Sequence, residues 1–202
     1  MNRMVRKPIV FSVILAISMI SQSAAHAVFY DLTDEQITQA VEYGQKNKDH
    51  DYVFFLAEWV STSKDWYEWA AINTKFSIVA YESKNAALAG KTLTDEEITQ
   101  FMFEAEGIFS FQVVLYGSSP DFTKDYHAVL LYGDKPIQPV LEQNDMNAKM
   151  MNIGLRKPSY YRAICRYDFP NYFVDPNAEV ILVIISPLHK ERRFFFNLGG
   201  IR

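Results

Sequence analysis

The chain has 202 residues, a formal net charge of −4 and a charged fraction of 22%. This acidic balance argues against nucleic acid and anionic membrane surfaces as partners, because both carry negative charge themselves. Cys165 is the single cysteine, so the chain cannot form an internal disulfide and its folding must rest on apolar burial.

The first 27 residues have the pattern of a secretory signal peptide. Three positive charges precede an apolar run over 9–20, and Ala25-His26-Ala27 resembles a small-residue cleavage site. The run is shorter than the roughly 20 residues that a bilayer span needs. The pattern predicts cleavage before Val28 and no stable membrane anchor afterwards. The lack of Asn-x-Ser/Thr sequons and paired cysteines favours a bacterial source, and hence a periplasmic or secreted protein.

Residues 28–107 are predicted to be a mostly helical region. Thr33, followed three residues later by Gln36, has the spacing of a capping box. The same eight-residue pattern returns over 93–100 with one difference, which predicts a second helix start.

The aromatic residues of 52–73 include all three tryptophans and recur at intervals of three, four or seven. This spacing predicts one amphipathic helix, or two short ones broken at 61–63. The segment 76–81 fits either a strand or a helix start.

From residue 108 onward, apolar residues alternate with a period of two, which is typical of strands. An Ig-like antiparallel β-sandwich of about six to seven strands over 108–202 is therefore predicted, with the helices packed on it as one compact α+β domain. The continuous run 180–185 should be a central strand, and the strand with Pro136 and Pro139 should lie at an edge. Residues 143–159 are predicted to be a loop. The six candidate strands are 109–115, 126–132, the Pro-bearing strand, 160–168, 180–185 and 194–198.

Two clusters allow a functional interpretation beside a structural one. Trp59, Trp66, Tyr67 and Trp69 could form a stacking surface for a sugar or another small extracytoplasmic ligand, although aromatic stripes at helical spacing are more often core.

A hydrolase centred on His127, with Asp121 or Asp125, is a second alternative. Aspartates near a turn are more often part of the turn itself.

The sequence predicts no catalytic residue, metal ligand or cofactor site, because it lacks nucleophile elbows, phosphate loops and His or Cys ligand spacings. Cys165 lies on the apolar side of an alternating strand and is expected to be structural. The leading interpretation is an exported, non-enzymatic binding module for a protein partner. Its contact surface is expected at the edge 135–142 or in the loop 143–159.

Overall fold

The computed structural model describes residues 28, 30–63, 67–151 and 160–202; the signal-like segment, Trp66 and part of the 143–159 loop lie outside them. These residues form a mixed α+β fold, which confirms the predicted class. The helices are α1 (Asp34–Lys46), α2 (Tyr52–Phe55), α3 (Lys75–Leu88) and α4 (Asp95–Glu104). The strands are β1 (Val60–Thr62), β2 (Trp69–Asn73), β3 (Ile108–Gly117), β4 (His127–Tyr132), β5 (Lys135–Ile137), β6 (Leu141–Gln143), β7 (Lys149–Met151), β8 (Tyr160–Pro170), β9 (Glu179–Ile185) and β10 (Glu191–Asn197).

The strands form two antiparallel sheets. The six-stranded sheet has the order β1-β2-β3-β8-β6, with β7 also paired to β8, and the four-stranded sheet has the order β10-β9-β4-β5. All six predicted strands are present within the described residues. The expected count of six to seven strands over 108–202 is too low, because β6 and β7 bring the described strands of that region to eight; β1 and β2 lie outside it, in the region predicted to be helical.

The prediction of a helix over 52–73 is wrong for most of that segment. Among its described residues only α2 is helical, and β1 and β2 form a hairpin in which Val60 pairs with Ala71 and Thr62 with Trp69. The hairpin continues the sheet through the pairing of β2 with β3. The spacing of the aromatics also fits a helix. Ladder hydrogen bonds and cross-strand contacts with β3 nevertheless stabilise the strand conformation more. The predicted loop 143–159 likewise contains β7.

The helix starts follow local side-chain chemistry. Thr33 and Thr94 each form the predicted capping box, with Gln36 and Glu97 respectively. The ambiguous segment 76–81 lies inside α3, where Thr74 forms a third capping box.

The core lies between the two sheets. Strands β3 and β8 pair over ten residues, and one face of this pair is wholly apolar. Phe111 on this face lies 5.2 Å from Phe196 of the four-stranded sheet, measured between ring centroids. The buried face consists of Phe109, Phe111, Val113, Leu115, Ala163, Cys165, Tyr167 and Phe169.

The helices pack on the opposite face of the six-stranded sheet. Tyr52 of α2 contacts Trp69 of β2, with 6.1 Å between ring centroids. Helices α1 and α3 approach closely at Gly44, where a Cβ atom would lie 2.1 Å from the Ala80 carbonyl oxygen. No helix within the described residues has the length and apolar character to cross a membrane.

Strand β9 is central in the four-stranded sheet, as predicted, with β10 on one side and β4 on the other. Strands β10 and β4 flank β9, the short 3-10 helix Leu198–Gly200 lies near it, and its inner face packs in the core between the sheets, whereas the helices lie on the other sheet.

Replacing Ile184 with Asp should abolish cooperative unfolding, because Ile184 is fully buried between the sheets and the cation beside it, Arg192, is already paired with Glu68. A cost above about 4 kcal/mol is expected, comparable with the whole stability of a small domain. Thermal melting by circular dichroism measures it. The matched control is Phe195→Asp on the neighbouring strand, where the side chain is exposed, and its melting temperature should stay close to the parent's. Equal melting of the two variants would contradict a core at Ile184.

Candidate functional site

The outer face of the four-stranded sheet is apolar along its two central strands, β4 and β9, although no described helix covers it. The flanking strand β10 adds Phe195 and the charged pair Glu191 and Arg193 to the same face. Strand register places Ile181 beside Leu131 and Phe195, and Val183 beside Val129. Antiparallel sheets with one face in water normally carry polar side chains on that face. We call the apolar part of this surface the contact face. It is formed by Val129, Leu131, Ile181, Val183, Ile185 and Phe195, of which Val183 is buried beside Arg193.

Phe195 is the most exposed apolar side chain of the contact face, with 63% of its surface accessible. Its backbone N–H donates to the Ser61 hydroxyl oxygen at 2.9 Å, which fixes this end of β10 against β1. A groove of about 490 Å³ lies beside the ring, lined by Leu131 and Ile181 and by polar groups that include Glu179. The face thus combines a protruding ring with an adjacent groove.

The contact face ends at a strand edge with which no other described strand pairs. Strand β5, with Pro136 at its centre, is the last strand of its sheet, as the proline predicted. The chain then crosses to the other sheet, where β6 pairs with β8. The predicted edge segment 135–142 therefore contributes an edge strand to each sheet.

His127 lies at one end of the contact face, at the position paired with Ile185. Its Nδ1 atom is 3.0 Å from a carboxylate oxygen of Glu142, while the other oxygen of Glu142 accepts the Ala128 backbone N–H at 2.7 Å. The side-chain partner of His127 is thus Glu142 rather than Asp121 or Asp125. Within the described residues, no three His, Cys, Asp or Glu side chains lie close enough together to hold a metal ion.

The predicted tryptophan cluster is divided by the fold. Trp59 is fully buried and stacks on Phe76 of α3, with 6.1 Å between ring centroids. Trp69 is 9% exposed and contacts Tyr52. Tyr67 is 72% exposed, and Trp66 lies outside the described residues.

The Trp59 indole N–H also donates to the Arg202 carbonyl oxygen at 2.7 Å. Trp59 and Trp69 therefore serve packing and hydrogen bonding and present no open ring face to water.

Cys165 is buried in the core face of β8, as its position in the alternating pattern predicted. Burial raises the pKa of its thiol. A protonated, enclosed thiol is a poor nucleophile, since the thiolate is the reactive form.

The polar residues on the other side of β3 and β8, and Phe195 itself, were not singled out by the sequence analysis. The period-two alternation of residues along each strand is the signal that could have identified them. Phe195 lies between the buried Phe194 and Phe196, so an outward-facing aromatic could have been expected at that position.

Trp59 and Trp69 should emit as buried indoles. In a Trp66→Phe background, which removes the contribution of the undescribed residue, emission should be blue-shifted and resistant to acrylamide. Denatured protein supplies the reference for exposed indoles. Red-shifted, easily quenched emission that responds to added sugars would instead support the aromatic stacking surface.

Thiol labelling should be slow in the native protein and fast in denaturant, because Cys165 is enclosed. The raised pKa also makes the labelling rate depend on pH differently in the two states. At a given pH a smaller fraction of the thiol is ionised in the native protein than in the unfolded chain, whose thiol pKa is about 8.5. Raising the pH from about 7 to 9 should accelerate labelling of the native protein by a larger factor than labelling of the denatured chain, because the thiolate fraction of the denatured chain is already close to saturation at pH 9. Equal acceleration in the two states would show an accessible thiolate.

Comparison with protein-family models, curated protein sequences and solved structures finds no match to this chain. The chemistry of the protein's surfaces therefore provides the evidence for its function. The apolar contact face is the feature that requires an explanation first, because uncovered apolar sheet surface is costly in water.

Proposed function

We propose that this protein is an exported, non-enzymatic binding module that acts by protein–protein contact through the contact face. The single observation that carries the proposal is the apolar outer side of the four-stranded sheet. Its occupant is a protein that presents an apolar side chain to the groove beside Phe195 and backbone groups to the edge of β5.

The extent of the contact face and the strand edge beside it both favour a protein as the occupant. Contiguous apolar surface on a folded domain is typical of interaction sites. A small molecule in the groove would cover Leu131 and Ile181 but would leave Val129 and the edge strand β5 open. A protein can cover the whole face and also contact the edge at β5, where the outward-facing ladder group is the Pro136 carbonyl oxygen, because the N–H groups of Lys135 and Ile137 face β4.

Export and the finer sheet arrangement are part of the same proposal. The signal-like pattern of residues 1–27 supports secretion or a periplasmic location in a bacterium. An Ig-like arrangement is supported by the antiparallel pairing in both sheets and by the contact of Phe111 with Phe196 across the core.

A photocrosslinking amino acid at position 195 tests the contact face in the exporting cell. Phe195 is exposed, so the fold should tolerate p-benzoylphenylalanine there. The expected result is one discrete covalent adduct, whose mass distinguishes a second copy of this chain from a different protein.

The matched control places the same crosslinker at position 103 on α4, because Phe103 is also largely exposed but lies away from the contact face. The adduct at 195 should be absent at 103 and should weaken when Ile181→Lys places a charge in the groove. No adduct at 195, or the same adducts at both positions, would overturn the proposal.

A further inference from the structure

A second surface lies on the opposite side of the molecule, between the helices and the outer face of the six-stranded sheet. It is a cleft of about 390 Å³, which continues toward α4 as a recess of about 190 Å³ that shares Asn73, Ile78 and Arg166. This size is within the range of small-molecule sites. We call it the helix–sheet cleft; it is lined by Tyr52, Asn73, Ser77, Ile78, Tyr81, Glu82, Gln112, Gln143, Ile164 and Arg166.

The sheet side of the cleft is polar where helix packing would normally bury apolar groups. Gln112, Arg166 and Asn73 occupy the positions of β3, β8 and β2 that alternate with the apolar core face. Each lies one residue from a buried apolar side chain on the same strand. The alternation therefore builds an apolar core on one side of the sheet. On the other side it places the polar floor of the cleft beside the buried Trp69, Ala71 and Val114.

The amide groups of this floor have hydrogen-bonding capacity to spare. The Tyr52 hydroxyl donates to the Gln112 side-chain oxygen, which leaves the Gln112 NH₂ group without a protein partner among the described residues. Burial raises the pKa of Tyr52 to about 12, so this donor stays protonated. The side-chain amides of Asn73 and Gln143 also have no hydrogen-bonding partner among the residues that the structure describes. Amides offer donors and acceptors together, which suits hydroxyl groups, since these also do both.

Arg166 is held in one orientation by a buried carboxylate. Its Nε and Nη2 atoms donate to the two oxygens of Asp168 at 2.9 and 2.8 Å, and the Asp168 side chain is only 5% exposed. The remaining Nη1 donors are available to the cleft, while the pair as a whole is neutral. Glu82 and Glu104 add carboxylates to the lining. The cleft therefore lacks the excess positive charge that an anionic ligand needs.

The helix side supplies flat and apolar contacts. The Tyr52 and Tyr81 rings meet edge to face, with 5.5 Å between centroids. Ile78 of α3 adds aliphatic surface, and the exposed Ile164 of β8 adds more from the sheet side of the cleft. A sugar ring presents C–H faces together with hydroxyl edges, and this wall and floor match those two parts.

We propose that the helix–sheet cleft is a binding site for a neutral carbohydrate. The hydroxyls bond to the amides of Gln112, Asn73 and Gln143 and to Arg166, and the ring packs between Tyr81 and Ile164. The site is separate from the contact face and from the predicted tryptophan cluster.

A glycan array that carries neutral oligosaccharides beside sulfated and sialylated ones tests the proposal, using the chain 28–202. The expected result is binding to neutral glycans. Isothermal titration with the best neutral glycan then gives the dissociation constant. Gln112→Leu keeps the side-chain size but removes both polar atoms, and it should weaken binding about tenfold or more.

The matched control is Gln39→Leu, an exposed position on α1 that does not line the cleft, which should bind as the parent does. Circular dichroism melting of both variants shows that the fold is kept. No bound glycan, a preference for acidic glycans, or equal binding by Gln112→Leu and the parent would overturn the proposal. A Gln143→Leu variant gives a second measurement if Gln112→Leu does not fold.

Discussion

The structure depends on the ten-residue pairing of β3 with β8. Because side chains alternate along each strand, this one pairing creates two surfaces of opposite chemistry. Its apolar side packs against the four-stranded sheet and holds Phe111, Cys165 and Tyr167. Its polar side, with Gln112 and Arg166, is the floor of the helix–sheet cleft. A one-residue slip in register would exchange the two sides and place Arg166 in the core.

The two sheets are also tied at their edges by polar groups. At one corner, Glu142 of β6 accepts the Ala128 N–H of β4 at 2.7 Å. At the other corner, Arg192 of β10 pairs with Glu68, which precedes β2, at 2.8 Å. These contacts join chain segments far apart in sequence and limit sliding of one sheet over the other. They also leave the contact face outside the sandwich, on the side that faces water.

Few of the potentially reactive side chains are candidates for a catalytic role, because they are buried. Cys165 is enclosed in the core, and Trp59 is fixed between Phe76 and the Arg202 carbonyl. The open groups are apolar on the contact face and amide-rich in the helix–sheet cleft. Such surfaces recognise partners and ligands through shape and hydrogen bonds, which is consistent with binding by both sides of one scaffold.

The sequence by itself determined the elements whose signals are local. Capping boxes at Thr33 and Thr94 fix helix starts through neighbouring side chains, and the run 180–185 identifies a buried strand by composition alone. Only the tertiary structure decided the rest. The β1–β2 hairpin exists because β3 provides a partner for it, and the helices cover the six-stranded sheet rather than β9. Both surfaces arise from residues brought together across the chain, such as Gln112 with Arg166 and Phe195 with Ile181, and periodicity along one segment carries no information about such long-range pairing.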